Sequence, residues 1–142
     1  MRLLRRFLGL PGVERRLLLK IAILLVVTRL AMYLMRYPRL ARRFDRWSRP
    51  ARNPDGLSAE RIAWAVNAVG LRLGPLTTCL GMALVARLLL ARRSIASALH
   101  FGVARDAKDS FTAHAWLVCD GRVIVGRSES RNFTPLSPPK RP

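Results

Sequence analysis

Residues 111–126 read FTAHAWLVC, DG, RVIVG, and the Asp120-Gly121 dipeptide at their centre decides the fold. A two-residue hairpin turn of type I′ needs positive φ at both central positions, which glycine adopts freely and aspartate tolerates. Two apolar runs flanking that pair are therefore predicted to be antiparallel strands. A further extended run, ALHFGVAR at 98–105, precedes them and is separated by Asp106, Ala107, Lys108 and Asp109, which supply turn residues. Three antiparallel strands are expected.

Upstream of the strands the period changes from two to 3.6. Ser58 is a good N-cap, Glu60 falls in the first turn, Ile62, Val66, Val69 and Leu73 recur at helical spacing, and Gly74-Pro75 stops the run. A second helix begins near Thr77-Thr78 and continues as CLGMALVARLLLARR, with Leu80, Leu84 and Leu88 on one face and Arg92-Arg93 at the negative end of the dipole. Helices first and strands afterwards, with no βαβ alternation, predict an α+β fold in which the helix that starts at Cys79 packs on a small antiparallel sheet.

The front of the chain differs in character. Met1–Gly9 is basic and amphipathic. Pro11 opens a long helix that runs to about Arg36, where Tyr37-Pro38 ends it, and 39–57 reads as a linker. The formal charge is +18, and residues 1–53 hold 14 Lys/Arg against two acids. Charge of this size draws the chain to something acidic, whether nucleic acid, an anionic membrane surface or an acidic protein. Aromatic residues in this part, Phe7, Tyr33, Tyr37, Phe44 and Trp47, form no stacking platform for single strands, so nucleic acid is not the expected partner.

Leu17–Leu34 has the length of a bilayer span but contains Lys20 and Arg29. A central arginine costs about 2.5 to 3.5 kcal/mol on insertion scales, so a span is disfavoured. Arg29 also stands where a signal peptide needs small residues, which argues against export. Lys20 and Arg29 fall on opposite helix faces, so the helix requires cover on most sides, from the rest of the chain, a partner protein or a membrane interface. Peripheral membrane contact through residues 1–53 is among the expectations.

Two cysteines, Cys79 and Cys119, and two histidines, His100 and His114, do not make a metal set, and so few cysteines fit a reducing, cytoplasmic setting. No cofactor is implied. Cys79 falls in the first turn of its helix, where unpaired N–H groups and the dipole favour a thiolate, although a cysteine in an apolar helix is commonly a small core residue. His114 lies on a strand between Ala113 and Ala115, with Trp116 on its own face, and is a candidate general base. For a third group that orients the imidazole, Asp120 and Glu129 stand as alternatives. With Asp120-Gly121 as the two loop residues, Arg127 faces His114 and Glu129 is diagonal to it; a one-residue register change inverts that geometry.

Taken together, ERIAWAV (60–66), TTCLGMALVARLLLARR (77–93), FGVARD (101–106), AHAWLVCDGRVIVG (113–126) and FTPL (133–136) resemble the transglutaminase-like leader peptidase of lasso-peptide biosynthesis. The likeness covers roughly 60–136. It divides the chain into a basic helical extension and linker (1–56), a transglutaminase-like or papain-like cysteine peptidase domain (57–136) and a disordered tail (137–142). What the resemblance implies is removal of the leader from a ribosomally made precursor, with Cys79 as nucleophile, His114 as base and Asp120 as the third member. The twelfth position after His114, where some members carry Asp, is Gly126 here. The resemblance further implies a separate leader-recognition protein and a downstream lasso cyclase as partners. A transglutaminase-type acyltransferase, or a non-enzymatic basic protein that binds nucleic acid or a membrane surface, are the alternative readings.

Overall fold

The computed structural model describes residues 11–35, 37–48, 56–105, 110–126 and 133–136. The Met1–Gly9 segment, the turn at 106–109, Glu129 and the tail from 137 onward lie outside them.

Ser58 and Thr78 each do what their position predicts. Ser58 Oγ accepts the Arg61 N–H, and helix α3 then runs Ala59–Leu73. Glu60 in its first turn has its carboxyl held below the usual range by the backbone N–H and the Ser58 side chain. A 3-10 turn at Gly74–Leu76 breaks the chain, Thr78 Oγ1 accepts the Gly81 N–H at 3.0 Å, and α4 occupies Cys79–Ala91. Arg93 Nη1 closes the far end by donating to the Leu89 carbonyl.

Two helices precede these: α1 at Gly12–Leu34 and α2 at Tyr37–Trp47. The linker reading is corrected for the second. Pro38 falls in the first turn of α2, where its missing N–H costs nothing, and so it starts a helix instead of only ending one. Leu40 and Phe44, four residues apart, bury against Leu84 and Leu88 of α4. Helix α1 contributes Leu17, Ile21 and Leu25 to a core shared with Ile62 and Val66 of α3, Val85 and Leu89 of α4, and Leu117 and Val125 of the sheet. Each such fully buried aliphatic chain is worth roughly 1.5 to 3 kcal/mol, and this core holds α1 on the domain. Ion pairs Glu14–Arg61 and Asp45–Arg87 join α1 to α3 and α2 to α4 at the surface.

The sheet has the order β3-β2-β1-β4 and is antiparallel throughout, with β1 at Ala98–Arg105, β2 at Phe111–Cys119, β3 at Arg122–Val125 and β4 at Thr134–Pro135. The hairpin forms as read: Asp120 and Gly121 both have positive φ, and Cys119 pairs with Arg122. β4, from the FTPL segment, is an added strand that the sequence patterning missed.

The β2–β3 ladder is not regular. Val118 faces Val123, yet Leu117 faces Val125, so Ile124 is an extra residue bulged out of the pairing. Asn67 Nδ2 of α3 donates to the Ile124 carbonyl at 3.1 Å and supplies a partner where the ladder is broken. The bulge turns Val125 into the core and places Gly126 on the opposite face.

The expected cost of Thr78→Ala is about 1 kcal/mol, because the Gly81 N–H loses its acceptor and the hydroxyl contact to Met32 Sδ is lost as well. A thermal melt, in which the midpoint falls by about 3 °C, checks it.

Candidate active site

Cys79 is the first residue of α4, directly behind its Thr78 cap, and its side chain is half-buried. The opening N–H groups of a helix point toward that position, and the dipole there favours negative charge. A cavity of about 200 Å³ lies beside the start of α4, lined by Leu80, Met32, Met35, Leu40 and Phe101.

His114 is the fourth residue of β2 and is buried, at 5% exposure. Its ring stacks on Trp116 at 6.1 Å between centroids, and Phe133 tilts against it at 5.1 Å. Nε2 lies 3.2 Å from the Gly126 carbonyl oxygen. A carbonyl only accepts, so Nε2 is the donor in this contact. This is the contact that the bulge at Ile124 creates: without it, Gly126 belongs to the other face. Position 126, read in the sequence as a departure from an acidic residue, thus presents a backbone acceptor to the imidazole.

A Cβ added at Gly126 would lie 3.0 Å from His114 Nε2 and 3.1 Å from the Ala115 carbonyl, and the residue has φ +81. Both facts demand glycine. Gly126→Ala is expected to cost about 1 to 3 kcal/mol from backbone strain and crowding together, read by urea unfolding, and to shift the His114 ring resonances in a proton NMR spectrum.

The strand alternation separates the two principal candidates. Leu117 packs into the helix-facing core, and Cys119 on the same face senses the Glu60 carboxylate of α3, so the odd-numbered residues of β2 face the helices. His114 and Trp116 therefore project from the opposite face. Helix α4, with Cys79 at its start, packs on the Leu117 side. Among the described residues no hydrogen bond joins Cys79 Sγ to the His114 imidazole.

Asp120 does not reach His114 either. It sits in the turn, six residues along the strand and about 20 Å away at the usual rise, and its Oδ2 is 3.9 Å from Cys119 Sγ. Its assignment as the third member of a triad is corrected on that ground. The reserve candidate, Glu129, lies outside the described residues. His100 stacks on the other side of Trp116 at 6.0 Å and 12°, on the same face as His114.

Cys119 is buried, and its Sγ donates to the Ala96 carbonyl at 3.4 Å. Burial first, and then the Asp120 and Glu60 carboxylates, push its thiol up. It stays protonated and unreactive where a thiolate is needed. Among the described residues no group of His, Cys, Asp or Glu is arranged to hold a metal ion.

The model of the transglutaminase-like superfamily, Transglut_core3, matches residues 22–138, and the chain belongs to that superfamily, which covers cysteine peptidases and acyltransferases. The match begins within α1 and so takes in most of the helical front end. No curated protein and no solved structure matches the chain.

Proposed function

We propose that this chain is a thiol-dependent peptidase that removes the leader from a lasso-peptide precursor, with Cys79 as its nucleophile. The observation that carries the reading is the position of Cys79, the first residue of a capped helix in a transglutaminase-like chain. The narrowing to leader removal is supported by the ordered segments 60–66, 77–93, 101–106, 113–126 and 133–136 and their likeness to lasso leader peptidases.

In this reading the Cys79 thiolate attacks the last leader carbonyl, a C–S bond forms, and the C–N bond to the core breaks as the leaving amine takes a proton. Water then hydrolyses the thioester and frees the leader carboxylate. The Cys79 N–H contributes to holding the oxyanion. His114 is the assigned base, and its location sets a condition. The ring is held on the far face by Gly126, Trp116 and Phe133, so the cleaving state has to bring thiol and imidazole together when precursor and leader-recognition partner bind.

The test is a reconstitution with precursor and leader-recognition protein, read by mass spectrometry. A single cut at the leader–core junction that depends on the partner is expected. Intact precursor with every component present overturns the reading. An added primary amine distinguishes the acyltransferase activity of the same superfamily, since it then appears as an amide on the leader in place of a carboxylate.

A further inference from the structure

Helix α1 is long and apolar enough to cross a membrane by length and composition, yet only its inner stripe, Leu17, Ile21, Leu25 and Thr28, is buried. At about 100° per residue the opposite side carries Leu19, Ile23, Val26, Val27, Leu30 and Leu34, all exposed, with Ile23 at 56%, Leu30 at 57% and Leu34 at 73%. Two exposed cations flank this stripe. Lys20 and Arg29 are nine positions apart and so lie about 180° from each other, one on each margin, while Arg15 and Arg16 occupy the N-terminal end. An apolar strip bordered by long cationic side chains is the arrangement of a helix that lies in a membrane interface, its apolar side among acyl chains and its ammonium and guanidinium groups at the head groups.

We infer that α1 docks the folded domain on an anionic lipid bilayer, lying in the plane of the interface with the Leu19–Leu34 stripe inserted. Charge selects this occupant. A second copy of the chain would bring Lys20 and Arg29 against their like, in a molecule of net charge +18, whereas an anionic head-group layer neutralises them. A span is disfavoured by the same helix's other side, which is committed to α3 and α4 and tied there by Glu14–Arg61. The inference does not depend on the chemistry at Cys79.

The experiment is co-sedimentation of the full chain with unilamellar vesicles of phosphatidylcholine alone, and of phosphatidylcholine with about one third phosphatidylglycerol. The double variant Ile23→Glu, Leu30→Glu is run beside it, with circular dichroism melts to establish that it folds like the parent. Both positions are exposed, so the fold should not change. Expected are strong binding to the anionic vesicles, weak binding to the neutral ones, a loss of at least ten-fold in the double variant, and weakening when salt is raised to about 0.5 M. No sedimentation with anionic vesicles overturns the inference and leaves an acidic protein as the partner. Equal binding by the variant overturns it too, since the arginines would then act without the stripe. Lipid-free dimers that the variant abolishes, with no vesicle binding, assign the stripe to self-association. Resistance to extraction by high salt and alkaline carbonate assigns it to a span.

Discussion

Cys79→Ala is expected to reduce precursor cleavage by at least about 10³-fold, to below detection, with almost no change in stability. The two effects separate because of where the residue sits. It is half-buried at the first position of α4, the Thr78 cap and the Gly81 N–H bond do not involve its side chain, and alanine is an excellent helix former. A melt unchanged to within about 0.5 kcal/mol, beside lost cleavage, is therefore the expected pair of results. Cys119→Ala is the matching control: it removes the bond to the Ala96 carbonyl and lowers stability but leaves cleavage in place. Iodoacetamide near neutral pH should likewise alkylate Cys79 well before Cys119, whose burial and raised pKa keep it protonated. Retained cleavage by Cys79→Ala would remove the thiol mechanism altogether.

The sequence disclosed those elements whose signal is local. Asp120-Gly121 specified the hairpin, Ser58 specified one helix start, and Thr77-Thr78 specified another to within a residue, which is enough to put Cys79 in the first turn of its helix. α2 was missed although its signal was present. Leu40 and Phe44 have helical spacing, but Pro38 was read as a terminator, and only the groove offered by Leu84 and Leu88 shows why a helix follows it. The bulge at Ile124 could not be read, because nothing local favours an extra residue there. It follows from the core accepting Val125 and from Asn67 bonding the Ile124 carbonyl. The relation of Cys79 to His114 was legible in part. Phe111, Ala113, Ala115, Leu117 and Cys119 make one face of β2 apolar throughout, whereas Thr112 and His114 interrupt the other, so the alternation points the Leu117 face at the helices and His114 away from them; Trp116 and Val118 beside His114 weaken that signal.

Trp116→Ala is expected to be the most destabilising single change on the His114 face, at about 3 kcal/mol or more, with a midpoint lowered by about 10 °C. The indole is 6% exposed and is stacked between His100 and His114, so truncation removes the wall shared by both imidazoles. The strand beside it is shaped to receive the ring. A Cβ at Gly102, the residue paired with His114, would lie 2.8 Å from Trp116 Cη2 and Cζ3 and 2.9 Å from the Thr134 carbonyl, so this glycine leaves the space on β1 that the indole occupies. Among the described residues the ring is bordered by strand backbone, which relaxes less readily than side chains, and this puts the cost toward the upper part of the range for aromatic truncations. Trp116→Phe keeps part of the stack and should recover about half of the loss. Diethylpyrocarbonate supplies a second reading, since the stacked indole covers the His114 ring, which should be modified several-fold faster in Trp116→Ala than in the parent. Unchanged modification together with an unchanged melt would mean that the indole is not what encloses His114.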